Sequence, residues 1–237
     1  MQWTVFDLEF NALLPEPGQP WPESLHITCG SIFSTCDLWP NVWYEAHSDN
    51  LDAEGLFMSE KTVRAFVEAL ECMASKGHTL VTWGGSATDW RMLAKECPDK
   101  SETIRSLALN SVDVPMCSCM SIGMMMGLNA ACMAIGLDLK DSEASSKVPD
   151  MWLQADQRQK VLQHVSNDSY ATMQVVLRAT LTKELPWITK KGHMKTWSPV
   201  VLATVRQCLA KELPKVPFEI GPNHNAKLLA RWLLLPS

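Results

Sequence analysis

The chain has 237 residues, 46% of them hydrophobic and 20% charged, with a formal net charge of −5. This balance suits a globular domain with a sizeable core and excludes a disordered chain or a nucleic-acid binder working by bulk positive charge. No apolar stretch reaches the ~18 residues of a membrane span, and Met1 runs straight into an apolar strand, so a soluble cytoplasmic protein without signal peptide is expected.

The first strand is predicted at about 2–8. A proline-rich loop from Leu14 to Pro22 follows, too proline-dense for helix or central strand. Two more short strands, rich in β-branched and aromatic residues, are expected at about 25–33 and 38–46, giving an antiparallel meander. The period then changes. Ser59 caps a helix that runs to Lys76 and stops at Gly77. Its apolar positions, from Val63 and Phe66 to Leu70 and Met73, have the spacing of a helix lying on a sheet. Thr79 to Trp83 reads as a buried parallel strand. The loop Gly84-Gly-Ser-Ala87 leads into a helix from Thr88 to Glu96. Ser101 caps another helix to about Leu109, and Ser111 to Val114 is an edge strand.

The rest is predicted helical. Met116 to Met126 reads as a helix packed with sulfur side chains, with a soft-metal site at Cys117 and Cys119 as the other reading. None of the eight cysteines forms a CxxC pair, and the thiols are expected to be reduced and buried. Leu128 to Gly136 is a helix ended by glycine, 138–150 a polar loop, and 155–182 one or two helices. Ser198-Pro199 is expected to open a last helix to about Lys211, and the tail ends in an apolar run from Lys227 to Leu235. The order predicts an α/β fold with a mixed five-stranded sheet, antiparallel then parallel, flanked by helices. Residues 1–182 carry 12 Lys+Arg against 23 Asp+Glu, and residues 183–237 carry 9 against 3. The chain therefore divides into a domain over 1–182 and a basic helical extension over 183–237 packed on it. That extension either contacts phosphates or is solvated surface.

Three pieces could carry chemistry. Phe6-Asp-Leu-Glu9 ends the first strand, and side chains at i and i+2 share a face. Two like charges held side by side are costly unless a cation sits between them. Asp89 follows the Gly-Gly loop at the carboxyl end of the fourth strand, where ligands gather in open sheets; as a first-turn acid it also suits the helix dipole. His164 and Asp168 are four apart, neighbours on one helix face, either as a base and a metal ligand or as a surface pair.

In order and setting these pieces resemble the DEDD superfamily of 3′–5′ exonucleases, which has a ribonuclease H-like sheet. Its first motif is D-x-E on the first strand. Its second is an Asp after the fourth strand, often within W-N-G-x-x-x-D. Its third is an Asp on a late helix, paired with Tyr or His. The resemblance covers about residues 1–182, including the helix Leu128 to Gly136 that precedes the third motif. This chain has H-x3-D, the spacing of the Tyr subtype, so His164 stands in the Tyr position; Gly84 stands where Asn is often found.

The resemblance implies two divalent ions, Mg²⁺ or Mn²⁺, held by Asp7, Glu9, Asp89 and Asp168, with His164 orienting or deprotonating the attacking water. It implies hydrolysis at the 3′ end of single-stranded DNA or RNA. Phe10, Trp83 and Trp90 flank the site and either stack terminal bases or pack the core; with Gly84 and Lys147 they make up the candidate substrate-contacting set. The other reading is a catalytically weak or inactive ribonuclease H-like module that binds nucleic acid or a protein partner.

Overall fold

The computed structural model describes residues 1–15, 19–45, 56–137, 145–215 and 225–234. Its centre is β1 (Trp3–Phe10), with β2 (Ile27–Ser34) antiparallel on one side and β3 (Asn41–Tyr44) antiparallel beyond it. The chain then crosses over through α1 (Glu60–Ser75), which Ser59 caps by accepting from the Thr62 amide, to β4 (Thr79–Thr82), parallel to β1. A second crossover, α2 (Asp89–Glu96) and α3 (Ser101–Asn110), places the short β5 (Val112–Asp113) parallel to β4. The sheet order is β3-β2-β1-β4-β5, so the mixed five-stranded sheet expected from the sequence is what forms.

Because β1 is central, both its faces are covered. Phe6 and Leu8 face α1: the Phe6 ring meets Phe66 edge-on at 5.9 Å and Trp90 of α2 at 4.6 Å. Gly30 of β2 makes this approach possible, since a Cβ there would lie 2.5 Å from the Leu8 side chain. The odd residues, Asp7 and Glu9 among them, face the other way.

The next elements are α4 (Val114–Ile122), α5 (Leu128–Ala134), α6 (Val148–Leu153) and the long α7 (Arg158–Thr182). Helix α7 lies across β1 and β2 on the Asp7 face. Val161, Leu162 and Val165 pack there with Cys29 and with Val148, Met151 and Trp152, each large side chain contributing about 1.5–3 kcal/mol of burial. The seam is locked by Ser31, whose hydroxyl donates to the Val165 carbonyl at 2.8 Å and also bonds to the Ser169 hydroxyl.

The last stretch departs from expectation. It opens not with helix but with an antiparallel hairpin, β6 (Leu185–Ile188) and β7 (Met194–Trp197). The helix expected from Ser198 to Lys211 forms only as α8 (Val205–Ala210), because Thr204 and Gln207 build a capping box there. A short α9 (Ala226–Leu229) and a 3₁₀ turn at Arg231–Leu234 follow. Leu185, Trp197, Val205, Ala230 and Leu233 are buried in the same apolar cluster as the sheet.

Other differences are local. Residues 155–182 form a 3₁₀ turn and one helix. Of the expected polar loop, 138–144 lies outside the described residues, and from 145 onward it is a turn leading into α6. Residues 16–18 of the proline-rich loop, residue 46 of the third predicted strand and Leu235 of the apolar tail also lie outside the described residues. Helix α4 ends at left-handed Gly123 (φ 73°), short of Met124. Cys117 and Cys119 are buried in it, with Cys117 Sγ donating to the Ala203 carbonyl at 3.1 Å, as a sulfur-packed helix requires. All eight thiols are free, but Cys36 and Cys72 are exposed rather than buried. No helix among the described residues is long and apolar enough to cross a membrane.

Candidate active site

The carboxyl end of β1, the loop from β4 to α2 and the inner face of α7 meet at a cleft of about 890 Å³, within the range of ligand clefts. Asp7, Glu9, Asp89, His164 and Asp168 all line it. The β1–β2 register shifts between Glu9 and Phe10, leaving Thr28 without a β1 partner, a bulge at the rim of the cleft.

Asp89 reaches the cleft because of the two glycines before it. Gly84 turns with φ 88°, a conformation that side chains resist. At Gly85 a Cβ would lie 2.6 Å from Asp89 Oδ2 and 2.8 Å from Thr82 Cβ, so only glycine lets the carboxylate fold back over the loop. The Thr88 hydroxyl donates to Asp89 Oδ1 at 3.0 Å. Behind the loop stands Asp113, which the sequence reading overlooked. Its Oδ2 accepts from the Ser86 amide at 2.9 Å and its Oδ1 from the Met116 amide at 3.1 Å, so it holds the loop and caps α4 together. The cue was the helix-start pattern Asp113-Val-Pro115.

The acids of the cleft disfavour their own ionisation. Burial, then the charges of Asp89, Glu9 and Asp168, hold Asp7 well above the usual carboxylate range. Burial and the charges of Asp168 and Asp89 do the same to Glu9. Asp89 is pushed up to about 7, mainly by burial and further by Asp113, against the bond from Thr88. Asp168 is raised by burial and relieved by His164.

His164 and Asp168 sit one turn apart on α7. His164 Nε2 is 3.4 Å from Glu9 Oε1 and 3.7 Å from Asp168 Oδ2. The ring is 4% exposed, and neither nitrogen has a hydrogen-bond partner among the described residues. A buried imidazole without a hydrogen-bond partner is a rare and costly arrangement.

The other predicted residues divide. Phe10 and Trp83 are walls of the cleft, and the Trp83 indole N–H is fixed on the Met126 carbonyl at 3.1 Å. Trp90 is not a wall: it is fully buried against Phe6, which leaves no face for a base. Gly84 shapes the loop behind the cleft without lining it, and Lys147 is exposed next to the wall residue Ser146. No described Lys or Arg lines the cleft. Lys190, Lys191, Lys195 and Arg206 are exposed on the hairpin and α8, outside it. The four carboxylates share one cleft and act on one another, yet among the described residues no three His, Cys, Asp or Glu side chains stand together as a ready-made metal centre. The donor chemistry does fit hard cations: four carboxylates offer only oxygen, and their mutual repulsion is what a divalent ion would relieve.

No protein-family model matches the chain, and no curated protein matches it in sequence. Among solved structures it is similar to the family B DNA polymerase of the hyperthermophilic archaeon Pyrobaculum calidifontis, with a TM-score of 0.52 and 15% identity. The match covers 76% of this chain and 24% of the polymerase. At that identity the likeness concerns the fold. With its β3-β2-β1-β4-β5 order and its flanking helices, the chain has a ribonuclease H-like α/β fold.

Proposed function

We propose that the chain is a two-metal-ion 3′–5′ exonuclease that hydrolyses phosphodiester bonds of single-stranded DNA or RNA. One observation carries this reading: four carboxylates and a buried imidazole without a hydrogen-bond partner among the described residues line a single cleft with no described Lys or Arg in its wall. Such a cleft repels a phosphate unless cations intervene. The DEDD-like order of Asp7, Glu9, Asp89 and Asp168 supports it, as does a fold shared with part of a DNA polymerase.

Asp7, Glu9, Asp89 and Asp168 would hold Mg²⁺ or Mn²⁺. When bound, such a pair supplies a clamp for the attacking and leaving oxygens of the phosphodiester. The protein's part is orientation and proton transfer. Glu9 and Asp168 flank Nε2 of His164, the ring nitrogen that would take a proton from the attacking water. Phe10 and Trp83, both in the wall, would stack the terminal bases.

The absence of a ready-made centre among the described side chains favours a second reading, a module that binds nucleic acid or a protein without cutting. End-labelled single strands of DNA and RNA, incubated with Mg²⁺ or Mn²⁺, separate the two. Stepwise shortening from the 3′ end, lost with a chelator and in Asp7→Asn, is expected. Intact strands that still bind the protein would establish the module instead.

A further inference from the structure

The last described segment reaches the loop behind the site. The Trp232 indole N–H donates to the Ser86 carbonyl at 2.8 Å, across 146 positions of sequence. Trp232 is itself held from its own carbonyl, which accepts from Arg105 of α3 at 2.7 Å. Ala230 and Leu233 on either side are buried in the main core. Ser86 is 4% exposed and is gripped from both ends: Trp232 takes its carbonyl, and Asp113 takes its amide at 2.9 Å. The residue before it is Gly85, over which the Asp89 carboxylate is folded at a distance that a single Cβ would obstruct. A shift of the main chain at Ser86 therefore moves the surface against which Asp89 rests.

We infer that Trp232 is a positioning residue for Asp89, and that the C-terminal segment acts as a strap fixing the Gly84–Ser86 loop; the inference rests on the two-metal reading for its consequence in catalysis. Trp232 touches neither substrate nor cation. It acts by removing freedom from the Ser86 peptide, so that Asp89 meets an incoming divalent ion in one orientation. A ligand site held about 1 Å loose loses much of its value, which is why supporting contacts behind it matter.

The test is Trp232→Phe in the full chain, which keeps an aromatic ring and deletes the indole N–H. The amides of Ala87, Trp90 and Met92 bond to the carbonyls of Gly84, Gly85 and Thr88. Their hydrogen exchange should quicken about five-fold, the effect of one neutral hydrogen bond, while Leu80 and Val81 in β4 keep their parent rates. The Mn²⁺ concentration for half-saturation, followed by electron spin resonance, should rise by about the same factor, with Asp89→Asn as the reference for a lost ligand. Unchanged exchange at 87–92 overturns the strap. Faster exchange with unchanged Mn²⁺ binding overturns the positioning of Asp89. If the parent protein and Asp89→Asn respond alike to Mn²⁺, the two-metal reading fails, and exchange alone then decides whether Trp232 holds the loop. Should the Phe variant not fold, Arg105→Gln, which frees the Trp232 carbonyl, carries the same two readouts.

Discussion

Asp7 and Asp113 lie at the carboxyl ends of parallel strands of one sheet, and the fold treats them in opposite ways. Asp113 is 1% exposed, with one oxygen on the Ser86 amide and the other on the Met116 amide. Burial raises its pKa, and those donors offset part of the rise. Asp7 has one main-chain bond, from Leu8, and three acids around it, all raising its pKa. A buried carboxylate with donors on both oxygens is scaffold. One surrounded by other carboxylates is relieved only by a proton or a cation, the arrangement expected of a cation site.

The largest expected effect breaks this pair apart. Asp7→Asn removes a charge without changing shape, so cleavage should fall by about 10³-fold. Its melting temperature in a chelator should hold or rise, because one repelling charge is gone. Asp113→Ala should behave in reverse for stability, losing about 1–3 kcal/mol as a helix cap and two buried amides lose their acceptor. Thermal melts of both variants without metal check the contrast, and a large loss of stability in Asp7→Asn would erase it.

His164 sharpens the comparison, since it is buried beside Glu9 and Asp168 with no hydrogen-bond partner among the described residues. His164→Ala should lower the cleavage rate by about 10²-fold. His164→Tyr should retain appreciable activity if the resemblance to the DEDD exonucleases holds, because H-x3-D would then be the spacing of their Tyr subtype. Single-turnover rates across pH decide this: an Ala variant as fast as the parent would leave the imidazole without a part in proton transfer.

A smaller effect appears in stability against pH. Asp89 titrates at about 7 in the folded protein, above its unfolded value of roughly 4. Between these values the fold keeps a proton that the unfolded chain has released, so stability falls as pH rises, and the fall ends once Asp89 ionises in the fold. Glu96, pushed up to about 7 mainly by burial, contributes in the same direction from outside the cleft. The metal-free melting temperature should therefore decline from pH 5 to pH 7.5, and Asp89→Asn should decline less steeply. Equal slopes would show that Asp89 is not held above its unfolded value.

Much of this was legible in the sequence because period carries it. Asp7 and Glu9 alternate onto one face of a strand, His164 and Asp168 stack on one helix face, and Gly84-Gly85 marks a turn that only glycine can make. The failures have physical causes too. Trp90 stayed open between base stacking and core packing because sequence does not say which face of a short helix turns inward; the Phe6 edge contact decides for the core. The hairpin was hidden because Pro186 argues against a strand, although a two-stranded ribbon tolerates it, and because β7 is exposed at Met194, Lys195 and Thr196. Trp232 acts through a single hydrogen bond between distant segments, which leaves no local pattern to read, and the sequence around Asp113 marks only its helix cap, not its hold on the distant Ser86 amide.

The central claim is that the strain among the cleft carboxylates exists to be relieved by divalent cations. Anomalous diffraction from crystals soaked in Mn²⁺ tests it most directly. The account predicts two manganese peaks about 3.5–4 Å apart, bounded by Asp7, Glu9, Asp89 and Asp168 and absent from Asp7→Asn. Full soaking with no manganese at these four residues would contradict it.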